Sequence, residues 1–177
     1  MIFTELRLPG AFLIHQERAE DARGFFARFW CTREFAAHGL NPALVQCNLS
    51  FNVKKGTLRG LHYQKAPNGE AKLVTCFQGA IYDVIVDLRP DSPTYGQWLA
   101  VELTGENLLS LYIPEGLAHG FQTLEDRTLV FYQMSEFYQP DSAMGVRWDD
   151  PLFGIVWPME VTTISSKDNS YYNIMQL

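Results

Sequence analysis

The sequence predicts an all-β protein, a sandwich or barrel of short strands, on three observations. From residue 45 onward, segments of about 5–9 residues rich in β-branched and aromatic side chains follow one another. Gly, Pro, Asn and Asp interrupt them every ~8–12 residues, the spacing at which such folds turn. Only one stretch carries a convincing helical pattern. With 177 residues, 47% of them hydrophobic and 14% aromatic, the chain can bury a full core and is expected to form a single domain over residues 1–177.

Taken in order, the first 24 residues give a turn at Pro9-Gly10, a short strand at residues 11–15 and a polar loop. Residues 25–31, FFARFWC, read as a strand. Thr32 is placed to cap a short helix over residues 33–38 that stops at Gly39. VQCNLSFN, TLRGLHYQ, AKLVTCFQ and AIYDVIVDLRP then read as successive strands. In the last of these, alternation puts Tyr82, Val84, Val86 and Leu88 on one side and Asp83 and Asp87 on the other. After a turn at Pro90-Asp91-Ser92-Pro93 come QWLAVELT, LLSLYIP, GFQTLE and TLVFYQMSEFY. The tail from Trp148 is irregular and is expected to wrap the outside.

A formal net charge of −6 with no basic run argues against a phosphate-neutralising nucleic-acid surface. An acidic chain can still bind an anion where its few cations converge, which directs attention to Arg23, Arg28, Arg59 and Lys72. Cys31, Cys47 and Cys76 are odd in number and contain no C-x-x-C, so buried free thiols in a reducing compartment are expected. MIFTELRLPG lacks the basic and apolar regions of a signal peptide, and no apolar run approaches the roughly 20 residues of a membrane span. A cytoplasmic location is the expectation.

The chain is organised around residues 56–79, GTLRGLHYQKAPNGEAKLVTCFQG, which gather Arg59, His62, Gln64 and Lys72 between two glycines. Desolvating such groups together costs several kcal/mol unless a partner or ligand compensates, so a ligand pocket is expected there. Of the four histidines, His15 and His38 lie in peripheral contexts. His119 sits in I-P-E-G-L-A-H-G-F, where Pro114 and Gly116 force a turn and Gly120 permits close backbone approach.

The segments around His62 and His119 resemble the two motifs of the cupin superfamily, double-stranded β-helix jelly rolls that often bind a metal through histidines and a carboxylate. Gln64 stands where the first motif usually has its second histidine, and Glu70 falls in the turn. Two histidines and an amide make a poor divalent site, so no metal and no cofactor are expected.

The resemblance then narrows. D-x-R-G-F-F (residues 21–26), Q-x-N-x-S (46–50), G-T-L-R-G-L-H-Y-Q (56–64), A-K-L-V (71–74) and D-V-I-V-D-L-R (83–89) are present in order. So are S-P-T-Y-G (92–96), I-P-E-G-L-A-H-G-F (113–121), W-D-D-P (148–151), I-V-W-P (155–158) and S-x-K-D (165–168). Together they resemble the dTDP-4-dehydrorhamnose 3,5-epimerase family, a group of jelly-roll enzymes with one or two short peripheral helices. The resemblance implies epimerisation of a nucleotide-diphospho-4-keto-6-deoxyhexose by proton removal α to the ketone and reprotonation from the opposite face. By that resemblance His62 is the base, Asp168 its orienting carboxylate, Tyr132 the opposing proton donor and Lys72 the cation at the C4 oxygen. It also implies that Arg59 and His119 lie beside the sugar and phosphates. Arg23, Phe26, Gln46, Asn48, Ser50 and Lys167 match its substrate-binding segments, Tyr138 its base-stacking position, and Arg23 reaches a neighbour's pocket in a homodimer.

Three positions depart from the family pattern: Arg28 replaces a glutamate of the nucleotide site, Ala143 an acid after the stacking tyrosine, and Gln133 a lysine. The departures leave a CDP- or GDP-linked ketosugar open beside dTDP, and the motifs do not fix whether C3, C5 or both invert. A sugar-nucleotide 3,4-ketoisomerase, a metal-dependent cupin and a non-enzymatic sugar-binding cupin are the competing readings.

Overall fold

The computed structural model describes residues 1–174. It contains β1 (Ile2–Glu5), β2 (Phe12–His15), β3 (Arg18–Asp21), β4 (Gly24–Ala27), α1 (Thr32–Ala37), β5 (Gln46–Asn52), β6 (Leu58–Gln64), β7 (Lys72–Gln78) and β8 (Ala80–Asp87). There follow β9 (Trp98–Thr104), β10 (Ser110–Ile113), β11 (Leu117–Thr123), β12 (Thr128–Met134), β13 (Ala143–Gly145) and α2 (Ser166–Asn169). A six-stranded sheet runs β1-β2-β10-β7-β12-β5, and a five-stranded sheet runs β13-β6-β11-β8-β9. All of their pairings are antiparallel, the jelly-roll arrangement the sequence implies. Strands β3 and β4 form a separate hairpin.

The main core lies between the sheets, where Val74, Cys76 and Val130 meet Ile81, Ile85, Leu103 and Phe121. On the outer face of the six-stranded sheet, Phe35 of α1 packs against Ile14, Leu73 and Tyr112. On the outer face of the five-stranded sheet, Leu61, Val84, Val86 and Ala118 are covered by Val146 and Phe153, with Ile155, Trp157 and Ile174 of the tail. Strand β8 therefore carries apolar residues on both faces, because both are buried. Its alternation is the one expected, and the side carrying Asp83 and Asp87 faces the interior, where both carboxylates are fully buried. Asp87 is held by Arg89, Ser92 and Thr94, a closed network that fixes the turn after β8.

Several expectations are corrected. The strand over residues 25–31 ends at Ala27, and Thr32 begins α1 rather than capping it: Cys31 is the N-cap and makes no side-chain bond. Strand β11 starts at Leu117, so His119 lies within a strand and not in the preceding turn. Only Cys76 is a buried thiol; Cys47 is exposed on β5 and Cys31 is half-buried. Burial pushes the Cys76 thiol up to about 11, which keeps it inert. The tail does wrap the outside, but it carries α2, whose Ser165 cap bonds the Asp168 N–H at 3.0 Å and turns that carboxylate inward. Among the described residues, no helix is long and apolar enough to cross a membrane.

Candidate active site

Strands β5, β7 and β12 of one sheet and β6, β11 and β13 of the other enclose a cavity of about 360 Å³, within the range of small-ligand sites. His62 stands on β6 and Tyr132 on β12, so the two come from facing sheets. Lys72, Glu70, Arg59, His119, Tyr138 and Lys167 also line the cavity.

One irregularity sets much of this geometry. His119 pairs with His62 and Phe121 with Arg59, so two steps on β11 face three on β6. The extra residue is a β-bulge, and it turns both Arg59 and His62 into the cavity, where strict alternation would set them on opposite faces. Gly60 and Gly120 permit it. Gly60 has φ +123°, and a Cβ there would lie 2.5 Å from the Gly120 Cα.

Asp168 Oδ1 lies 2.8 Å from His62 Nε2, and its Oδ2 accepts the Gly60 N–H at 3.2 Å. Burial works to raise this carboxyl, but the imidazole and the Gly60 N–H hold it below the ordinary carboxylate range. As a carboxylate it accepts from Nε2–H, which leaves Nδ1 as the ring nitrogen free to take a proton. The His62 side chain remains 42% exposed, open to a ligand, while Asp168 is 7% exposed. Tyr171 stands edge-on to the His62 ring, and a side chain at Gly145 would collide with it.

A second dyad lies beside the first, its histidine paired in register with His62 on the neighbouring strand. His119 Nε2 lies 2.6 Å from Asp83 Oδ1, both buried, and the His119 ring meets Tyr132 edge-on at 6.0 Å. Burial pushes the Asp83 carboxyl up, with His119 opposing. The Tyr132 hydroxyl is raised strongly, first by burial and then by the Asp83 charge, against the lowering influence of Arg59 and Ser50. Asn52 steers Arg59: its Oδ1 accepts from Nε at 2.7 Å while its Nδ2 donates to the Thr128 carbonyl.

Lys72 Nζ lies 2.7 Å from Glu70 Oε1, with both side chains almost wholly buried. Glu70 Oε2 and Asp83 Oδ2 have no hydrogen-bond partner among the described residues. Gln64 uses its amide on three backbone groups, the Asn68 and Phe137 carbonyls and the Gln139 N–H. Among the described residues no group of three or more His, Cys, Asp or Glu side chains could hold a metal ion.

Asn48, Ser50, Arg59, His62, Lys72, His119, Tyr132, Tyr138 and Lys167 therefore come together as the sequence suggests. Arg23, Phe26 and Arg28 do not line this cavity. Arg23 pairs with Asp21 at the tip of the β3–β4 hairpin, Phe26 is 78% exposed, and Arg28 reaches Glu34 of α1 at 2.6 Å. Gln46 contacts the Tyr138 N–H and not the cavity. Sequence reasoning missed Asp83, Asn52, Tyr171 and the role of Glu70 as the partner of Lys72. An aspartate inside the apolar run of β8 was the only signal for Asp83; Tyr171 had none.

The family model described as dTDP-4-dehydrorhamnose 3,5-epimerase matches residues 5–176. A dTDP-4-dehydrorhamnose 3,5-epimerase of Methanothermobacter thermautotrophicus is 44% identical, over 96% of this chain and 92% of its own. The crystal structure of dTDP-4-dehydrorhamnose 3,5-epimerase from Bacillus anthracis, with TDP and PPi bound, is 40% identical with a TM-score of 0.94, covering 98% and 99% of the two chains. An epimerase from Legionella pneumophila in complex with dTDP-4-keto-L-rhamnose is 36% identical with a TM-score of 0.90, covering 97% and 92%. With a matching model along nearly its whole length and relatives near 40% identity, the chain belongs to the dTDP-4-dehydrorhamnose 3,5-epimerase family.

Proposed function

We propose that the chain converts dTDP-4-dehydro-6-deoxy-D-glucose to dTDP-4-dehydro-L-rhamnose by inverting C3 and C5. The observation that carries this reading is the placing of His62, with its Asp168 partner, and Tyr132 on facing sheets around one cavity. Protons on C3 and C5 are both α to the C4 ketone. His62 Nδ1 takes one of them, and the electron pair of the broken C–H bond moves through the carbon to the C4 oxygen as an enolate. Asp168 stabilises the imidazolium that forms, and such general-base transfers contribute about 10²–10⁴-fold. Lys72 offers a fixed cation to the enolate oxygen, the electrostatic contribution that is usually largest. Tyr132 is protonated at neutral pH, as any tyrosine hydroxyl is, and burial raises it further, so it has a proton to deliver from the opposite face. Return of that proton to carbon inverts the centre. His62 then gives its proton to solvent, Tyr132 takes one back from solvent, and the sequence repeats at the second carbon. Atoms and oxidation state are unchanged overall.

In this reading Arg59, His119 and Lys167 hold the sugar and diphosphate, Asn48 and Ser50 line the nucleoside side, and Tyr138 stacks on the base. A homodimer supplies Arg23 and Phe26 to the neighbour's site. Two features support that assembly: the exposed β3–β4 hairpin, and an apolar patch of Leu49, Phe51 and Phe77 on the outer face of the six-stranded sheet. A cytoplasmic location accords with a nucleotide-activated substrate.

Incubation with dTDP-4-keto-6-deoxyglucose in deuterium oxide, followed by NMR, should place deuterium at C3 and C5. The CDP- and GDP-linked ketosugars serve as parallel arms, because Arg28 and Ala143 depart from the family at the nucleotide side. Exchange at one carbon alone would restrict the reading to a mono-epimerase, and exchange with none of the three would overturn it.

A further inference from the structure

Tyr138 lies in the loop between β12 and β13, at the cavity rim and 52% exposed, where little of its own ring packing can fix it. Its backbone is nevertheless held at two successive amides by side chains from two different sheets. The Tyr138 N–H donates to Gln46 Oε1 of β5 at 3.2 Å, and the Gln139 N–H donates to Gln64 Oε1 of β6 at 2.7 Å. Gln64 Nε2 also donates to the Phe137 carbonyl at 3.2 Å and to the Asn68 carbonyl at 3.0 Å, tying this loop to the β6–β7 turn. Ser142 and Asn68 make the same tie again through a side-chain bond of 2.9 Å and the Lys65 N–H.

We infer that Gln64 and Gln46 are positioning residues which fix the Tyr138 loop, and through it the affinity for the nucleoside half of the substrate. Gln64 is buried, and its amide must accept from the Gln139 N–H and donate to carbonyls of that loop and of the β6–β7 turn. Only a primary amide of this length does so. Glutamate would face two carbonyl oxygens, and histidine cannot donate twice from one end. The position that serves metal binding in other cupins here serves the base-recognition loop. Gln46, which the family resemblance assigns to the substrate, acts on this geometry through Tyr138.

The inference rests on the stacking role of Tyr138, and the test separates the two. Inhibition constants are measured for dTDP, which carries the base, and for inorganic pyrophosphate, which does not. Gln64→Met and Gln46→Ala should each raise the constant for dTDP by roughly tenfold, within what loss of base–aromatic stacking produces. The constant for pyrophosphate should stay within about twofold, the scatter expected at a site left intact. In a Tyr138→Ala background neither substitution should add a further loss, because both act through that ring. Full additivity would overturn the inference and make the glutamines direct contacts, as would dTDP inhibition unchanged in both variants. An unchanged dTDP constant in Tyr138→Ala alone would overturn the stacking role, and the inference with it. Gln46 lies on a sheet-edge strand, so Gln46→Ala decides the matter even if Gln64→Met fails to fold.

Discussion

Arg59 and His62 point into the same cavity although three residues apart on one strand, because β6 carries one residue more than β11 between their paired positions. A strand without that bulge could present only one of these two side chains to the cavity.

Gly120→Ala should therefore damage site and stability together. Its Cβ would lie 2.6 Å from the Arg59 carbonyl oxygen and 2.7 Å from Leu61 Cδ2, and backbone must move to admit it. Overpacking of this kind costs about 1–3 kcal/mol. A denaturant titration with wild-type stability, together with undiminished deuterium exchange, would show that the bulge tolerates a methyl group.

Asp168→Asn should lower turnover by about 10²–10⁴-fold, since the imidazolium loses its carboxylate. It also makes a pH prediction. The folded-state pKa of Asp168 lies below its unfolded value, despite the opposing effect of burial, because His62 and Gly60 stabilise the charged form. A depressed carboxyl contributes stability that is present above the unfolded pKa, about 4, and is lost as pH falls through the folded value. The stability gap between wild type and Asp168→Asn should thus be widest near neutrality and close below about pH 4. A gap independent of pH would show that the charged form of Asp168 contributes nothing to stability.

Tyr132→Phe should slow inversion more than exchange. In the proposed mechanism, uptake of solvent deuterium needs only His62, whereas inversion needs a proton from the other sheet. Equal loss of both rates, read by NMR in one experiment, would remove Tyr132 from the donor role.

Lys72→Met should be more destabilising than its loss of one contact suggests, because Glu70 is left charged, buried and alone. Breaking one side of such a pair costs about 3–5 kcal/mol. Adding Glu70→Gln should recover much of the melting temperature, as it neutralises the orphan, without recovering turnover. If the double variant melts no higher than Lys72→Met, the buried pair is not the cause.

Leu49→Lys puts a charge into the exposed apolar patch beside Phe51 and Phe77. Light scattering should show a shift from dimer to monomer, and an unaltered dimer would place the interface elsewhere.

The sequence by itself determined the β architecture, since strand periodicity and turn residues are local signals, and it named most of the groups proposed to react through motifs in order along the chain. His62, Lys72, Tyr132 and Asp168 were all legible in that way. The tertiary structure decided what those groups touch. Asp168 meets His62 across 106 residues because the tail packs over the five-stranded sheet before α2 turns inward. No local pattern encodes that path. Register within the five-stranded sheet set Asp83 of β8 beside His119 of β11, and the entry into β7 set Glu70 beside Lys72, with burial closing both contacts. Gln64 shows the division most sharply: its identity told against a metal from sequence alone, but only the fold brings the Phe137 carbonyl and the Gln139 N–H within reach of its amide.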